Sequence, residues 1–166
     1  MRTNGPDIRV GHGYDIHQLV HDRPLVLGGV HVPSDCGATG HSDADVLFHA
    51  IVDAMLGALA TGDIGRHFPD SDPKLKDANS KIFVQQTVDL ARTQGWELVN
   101  VDATVLLEQP KLAVHASSIQ RSVAQSLDVS TSRVSIKAAS NEGMDAVGEG
   151  RAIACHAVVL LSRNHR

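Results

Sequence analysis

The sequence predicts an α+β fold, a two-layer sandwich in which helices cover one face of a mixed β-sheet. Three observations carry that expectation. Stretches with strand patterning are grouped, with helix-patterned stretches inserted between them. Residues 101–107 and 153–161 carry apolar side chains at both parities, so both faces of those strands need cover. Hydrophobic residues make up 42% of the 166 residues but aromatics only 3%, so the core is built from Val, Leu, Ile and Ala. Helices cover one sheet face, and a subunit interface is the expected cover of the other.

In chain order, residues 9–17 read as a strand. Leu25-Val26-Leu27 and Val30-His31-Val32 flank Gly28-Gly29, the signature of a tight hairpin. Ser42-Asp43-Ala44-Asp45 reads as a helix start, with Ser42 as the cap and Asp45 at the third helical position. That helix is expected to run to Gly62. Its apolar members Val46, Leu47, Phe48, Ile51, Val52, Met55, Leu56 and Leu59 imply burial around most of its circumference. Residues 62–73 are too rich in Gly, Pro and Asp for regular structure and form a long loop full of carboxylates. A helix over 80–93 stops at Gly95, and a strand over 96–107 is ended by Pro110. A helix over 114–127 and strands over 133–139 and 152–161 complete the chain. No repeat or linker divides it, so one domain spans residues 1–166, with about the first eight flexible.

Composition excludes several partners. A net charge of -4 with scattered Lys and Arg argues against nucleic acid. No apolar run reaches a membrane span, and Met1 to Asp7 lacks the regions of a signal peptide, so a cytoplasmic protein is expected. Cys36 and Cys155 lie far apart without a Cys-x-x-Cys motif and read as free core thiols. His21, His31, His115 and His165 stand in polar contexts and read as solvated. The P-loop, nucleophile-elbow and His-Glu-x-x-His motifs are absent. Gly11-His12-Gly13 matches only half of a dinucleotide fingerprint and is set aside.

The chemistry points to a metal. In an extended segment Asp15 and His17 face the same side, about 6.5 Å apart. With His49 they offer a carboxylate and two imidazoles, a set suited to Zn²⁺ with a fourth position left open for chemistry. Asp45, His49 and Asp53 recur every fourth position along the helix, each about 40° round from the last. On a largely buried helix that stripe must face a polar cavity, a metal or a partner charge. A histidine merely paired with a carboxylate on a half-exposed face is the plain alternative.

Taken together, these residues resemble the 2-C-methyl-D-erythritol 2,4-cyclodiphosphate synthase family. The resemblance rests on Gly11-His12-Gly13-Tyr14-Asp15-Ile16-His17, on Gly40-His41-Ser42-Asp43-Ala44-Asp45-Val46 with His49, and on Asp53 through Gly62-Asp63-Ile64-Gly65 and Phe68-Pro69-Asp70-Ser71-Asp72. It continues through Gln109-Pro110-Lys111, Lys137-Ala138 and Asn141-Glu142-Gly143.

The resemblance implies a homotrimer with active sites at subunit boundaries. It implies a CDP-linked small-molecule substrate, whose 2-phosphate attacks its own β-phosphorus and expels CMP. Such a step needs positioning and charge neutralisation rather than a nucleophile and base. By the same resemblance Asp15, His17 and His49 are zinc ligands, and Asp15 and His17 also border the substrate. His41 and Ser42 contact phosphate. Asp63, Ile64, Gly65, Phe68, Pro69, Asp70, Ser71 and Asp72 hold the sugar and methylerythritol portions, with Asp53 also lining the site. Leu107, Glu108, Gln109, Pro110, Lys111, Leu112 and Ala113 form the cytosine pocket. Glu142 binds a second ion, Mg²⁺ or Mn²⁺, beside Ala139, Ser140 and Asn141. His41 and Ser140 are the expected catalytic residues.

Two departures stand out. Lys137-Ala138-Ala139-Ser140 replaces the family's Lys-Ala-Thr-Thr, leaving Ser140 as the surviving hydroxyl. Gly148-Glu149-Gly150-Arg151 exchanges the family's charges, and Arg151 is expected to neutralise Glu149 instead of meeting an anion on the threefold axis. The competing readings are a zinc-dependent phosphohydrolase and a non-enzymatic trimeric nucleotide-binding protein.

Overall fold

The computed structural model describes residues 7–163. Its longest element is β1 (Asp7–His21), 15 residues in which side chains alternate between two unlike environments. Gly11 and Gly13 are buried, while Ile8, Val10, Tyr14 and Ile16 of the opposite parity are exposed. Asp7 and Ile8 pair with Arg163 and Ser162, so two residues expected in a flexible lead belong to the sheet. Residues 1–6 and 164–166, with His165 and most of the segment from Met1 to Asp7, lie outside the described residues.

The turn at Gly28-Gly29 joins β2 (Leu25–Leu27) to β3 (Val30–Val32), as expected. Both glycines have positive φ, 57° and 76°, the backbone that a tight hairpin of this hand requires. A three-residue strand, β4 (Cys36–Ala38), then pairs with the end of β1. The first helix, α1 (Val46–Leu59), starts later than the sequence pattern suggests. Its cap is Asp45 rather than Ser42, with the carboxylate accepting from the Phe48 N–H at 3.1 Å. The same carboxylate accepts from Gly28 N–H at 2.9 Å and Gly29 N–H at 2.7 Å, tying the hairpin turn to the helix. Burial pushes its carboxyl up to about 6 despite those three donors. The helix ends at Leu59 rather than Gly62, with Ala60 in the left-handed conformation.

Within residues 62–73, expected to be irregular, a single turn of helix, α2 (Ile64–His67), forms, and a 3₁₀ turn follows at Pro73–Leu75. Then come α3 (Lys81–Thr93), β5 (Glu97–Leu106), α4 (Ala116–Leu127) and β6 (Val134–Ala139), all close to expectation. A one-turn helix, α5 (Asp145–Gly148), precedes β7 (Ala152–Arg163).

The main sheet runs β4-β1-β7-β5-β6. It is mixed, with β7 antiparallel to β1 and β5, and β5 parallel to β6. Helix α1 lies across β1 and β7 so closely that a Cβ on Gly11 would stand 1.8 Å from the Ala54 carbonyl oxygen. On Gly13 it would stand 1.9 Å from that of Ala50. The Gly-x-Gly pattern therefore sets the helix-to-strand distance, a role invisible until the helix is in place. Among the described residues nothing covers the opposite sheet face: Ile8, Val10, Tyr14, Ile16 and Val158 are between 42% and 67% exposed there. Cys155 is buried and Cys36 only half-buried, 3.5 Å from the His21 ring, so both are free but only one is a core thiol.

Candidate metal centre and its surroundings

Asp15 and His17 leave β1 on the face that meets α1, and His49 enters from the first turn of that helix. Three ligand atoms converge. His17 Nε2 lies 2.9 Å and His49 Nδ1 3.0 Å from Asp15 Oδ2, and the two ring nitrogens are 3.1 Å apart. Among the described residues this is the one group of three or more His, Cys, Asp or Glu side chains able to hold a metal. Burial alone would raise the Asp15 carboxyl, but hydrogen bonds from His17 and His49 hold it far below the usual range. Burial disfavours a charged His49, yet the adjoining Asp15 carboxylate raises its basicity above the ordinary value. These atoms combine one negative charge with two imidazoles, a set able to receive a divalent cation. A carboxylate with two imidazoles is also a zinc donor set, and three ligands leave a position for substrate.

Behind the triad, His49 Nε2 lies 2.8 Å from Ser80 Oγ and 3.2 Å from Ser42 Oγ. Ser80 Oγ donates to Asp43 Oδ1, and Ser80 N–H donates to Asp43 Oδ2 at 3.1 Å. Ser42, expected to cap the helix, instead turns its hydroxyl inward to His49 and Ser80. The stripe of Asp45, His49 and Asp53 likewise divides among three partners. Asp45 caps α1, His49 joins the triad, and Asp53 accepts from the Ile64 N–H at 3.0 Å, anchoring α2.

A model described as the YgbB family matches residues 8–162. The chain belongs to the YgbB family. A Gloeobacter violaceus protein named 2-C-methyl-D-erythritol 2,4-cyclodiphosphate synthase is 52% identical over 161 residues, covering 97% of this chain and 99% of its own length. The IspF CDP complex from Plasmodium falciparum is similar at TM-score 0.84 and 34% identity, over 99% of this chain and 100% of that one. The bifunctional IspDF from Campylobacter jejuni gives TM-score 0.92 and 38% identity over 96% of this chain, which spans 43% of that longer protein.

In this YgbB chain the other expected site residues fall into two groups. The first lies before α1 and along residues 62–73. His41 Nε2 lies 3.2 Å from the Asp72 carbonyl, the Asp63 carboxylate caps α2, and Asp72 accepts from the Lys74 N–H. Phe68 stacks on Phe83 with ring centres 4.6 Å apart, and Phe83 lies 6.1 Å from the His49 ring. Gly65, Pro69, Asp70 and Ser71 are exposed between these anchors.

The second group gathers where β5 and β6 end. Leu107 N–H donates to the Ala139 carbonyl, and Glu108 accepts from the Asn141 N–H at 2.6 Å. Ser140 Oγ donates to Glu142 Oε1 at 2.6 Å. Beyond Gln109 and Pro110, Leu112 is buried, whereas Lys111 and Ala113 are exposed. β6 lies three strands from β1, about 14 Å across the sheet at 4.8 Å per strand. Sequence reasoning missed Ser80 and Phe83, and gave Asp43 no part in the site. Ser80 reads only as a helix boundary, and Phe83 falls inside the helix over 80–93 with no signal of its own.

Proposed function

We propose that this chain is a 2-C-methyl-D-erythritol 2,4-cyclodiphosphate synthase, a phosphorus–oxygen lyase of the non-mevalonate isoprenoid route. It converts 4-diphosphocytidyl-2-C-methyl-D-erythritol 2-phosphate to the cyclic diphosphate and CMP. The observation that carries this reading is the convergence of Asp15, His17 and His49, in a chain 52% identical to a relative of that name.

A 2-phosphate oxygen bonds to the β-phosphorus while the bond from that phosphorus to the CMP oxygen breaks, so the electron pair leaves with CMP. The nucleophile is already anionic and needs no base. Asp15, His17 and His49 would hold a Zn²⁺ ion, which would supply positive charge to balance the phosphates. His41 holds the phosphate near the start of α1, together with backbone at Ser42, whose hydroxyl is engaged behind His49. Ser140 turns its hydroxyl from Glu142 to a phosphate oxygen as negative charge develops there. The Glu142 carboxylate suits a hard cation such as Mg²⁺ or Mn²⁺. Residues 63–65 and 68–72 shape the methylerythritol side, and residues 107–113 take the cytosine.

Two features favour a homotrimer. The two groups of site residues lie far apart in one chain, and the second sheet face presents Ile8, Val10, Tyr14, Ile16 and Val158 without cover. A neighbouring copy both covers that face and brings residues 107–113 and 139–142 to the triad. No helix among the described residues is long and apolar enough to cross a membrane. The free thiols of Cys36 and Cys155 fit the cytoplasmic setting in which we place the enzyme.

Incubation with the CDP-linked substrate tests the reading. Cyclic diphosphate plus CMP is expected, whereas release of inorganic phosphate, or no turnover by metal-replete protein, contradicts it.

A further inference from the structure

The Ser80 side chain has no partner in its own helix. At the N-cap of α3 a serine hydroxyl ordinarily accepts from the first turn, but here no such bond forms. The hydroxyl is 0% exposed and points instead across the chain to His49 Nε2 and Asp43 Oδ1. An N-cap serine that gives up its capping bond, in a fully buried position, is committed to something else.

Proton counting shows what that is. Asp43 as a carboxylate can only accept, so the single Ser80 proton points to it. Toward His49 the Ser80 oxygen can then only accept, and the proton between them belongs to His49 Nε2. Nδ1, the atom that faces Asp15 and His17, donates to the Asp15 carboxylate in this structure; an ion there would displace that proton, and the Nε2 proton held by Ser80 would leave the one available lone pair on Nδ1. The Ser80 backbone N–H on the second Asp43 oxygen fixes the carboxylate and prevents the relay from rotating. Ser42 Oγ, at 3.2 Å from Nε2, is the weaker second acceptor.

We propose that Asp43 and Ser80 are positioning residues for the metal centre, selecting the His49 tautomer that presents Nδ1 to the ion. Neither touches the ion's position; both act through His49. The inference rests on reading the triad as a zinc site. Its sharpest consequence concerns Asp43, whose hydrogen bonds run to Ser80 and which reaches His49 through that hydroxyl. In Asp43→Ala the Ser80 hydroxyl is free to rotate and donate to Nε2, which stabilises the tautomer that cannot bind metal through Nδ1.

Zinc affinity is measured by competition with a chromophoric chelator for wild type, Ser80→Ala and Asp43→Ala, with thermal unfolding of each metal-free protein as the check on folding. Loss of such outer partners typically weakens metal binding about 10- to 100-fold. Both variants should fall in that range, with Ser80→Ala toward the lower end because Ser42 partly substitutes. Nitrogen-15 NMR of zinc-loaded wild type should show His49 protonated at Nε2 and metal-bound at Nδ1, and this readout decides the matter if a variant does not fold. Wild-type affinity in a folded Ser80→Ala or Asp43→Ala protein, or a proton on Nδ1 in the loaded wild type, overturns the proposal. Failure of wild type itself to bind zinc is a separate result, and it overturns the zinc reading.

Discussion

Gly13→Ala should push β1 away from α1 and scatter the metal ligands, because those ligands are divided between the two elements. The new Cβ would stand 1.9 Å from the Ala50 carbonyl oxygen, and 3.0 Å is the least that real contacts allow, so the opening is at least about 1.1 Å. The obstacle is backbone, which cannot rotate aside. Overpacking of this kind costs about 1–3 kcal/mol. For a chain of this size that lowers Tm by roughly 2–4 °C per kcal/mol. Metal-ligand distances tolerate only about 0.2 Å, so a shift of an ångström between His49 and the pair on β1 should weaken zinc binding at least tenfold. Gly57→Ala is the matched control. Gly57 lies inside α1, and its added Cβ would meet nothing nearer than the His12 carbonyl oxygen at 4.0 Å. It should therefore stabilise by about 0.5–1 kcal/mol. Calorimetric unfolding and chelator competition on both proteins check this, and unchanged Tm and zinc affinity in Gly13→Ala would refute the spacing argument.

Three other outcomes are expected. Burial holds the Asp45 carboxyl up at about 6, above its ordinary 3.8, so the folded state binds more protons than the unfolded one across that window. Stability then falls as pH rises from about 4 to 6, by about 3 kcal/mol relative to Asp45→Asn, and parallel denaturation curves for the two proteins over that range would contradict it. Ser140→Ala should lower kcat by up to about a hundredfold while Ser140→Thr retains it, and equal kcat in Ser140→Ala and wild type shows the hydroxyl to be dispensable. Arg151 donates to Glu149 through Nε at 2.7 Å and through a second guanidinium nitrogen. Its charge is thus engaged within the chain rather than free for the anion that the family resemblance places on the threefold axis, so an isoprenoid diphosphate probe, geranyl diphosphate, should bind weakly or not at all by calorimetry. Micromolar binding lost in Arg151→Ala contradicts that.

What could be read in the sequence was local. Asp15 and His17 stand two apart on a strand, and period two alone placed them on one face. Gly28-Gly29 between two apolar triplets fixed the hairpin in the same way. The start of α1 differs from the pattern because Ser42-Asp43-Ala44-Asp45 imitates a capping box. Asp45 takes the cap because it also gathers the Gly28 and Gly29 N–H groups, which are 17 and 16 residues away. The three-residue β4 is too short for its pattern to register, and it exists because β1 supplies a partner edge. Ser80 and Asp43 are 37 residues apart, and only the tertiary fold turns them toward His49. The glycines of Gly11-His12-Gly13 look like a fragment of a nucleotide-binding loop until α1 is seen lying across them.

The most direct test follows the reaction by phosphorus-31 NMR in protein stripped of metal and then reconstituted. Addition of the CDP-linked substrate to stripped protein should leave it unchanged, and restoring Zn²⁺ with Mg²⁺ should give cyclic diphosphate and CMP in equal amounts. The same reconstitution of His49→Ala should give neither. Full turnover by demonstrably zinc-free protein, or by His49→Ala, contradicts the claim that Asp15, His17 and His49 form the working centre.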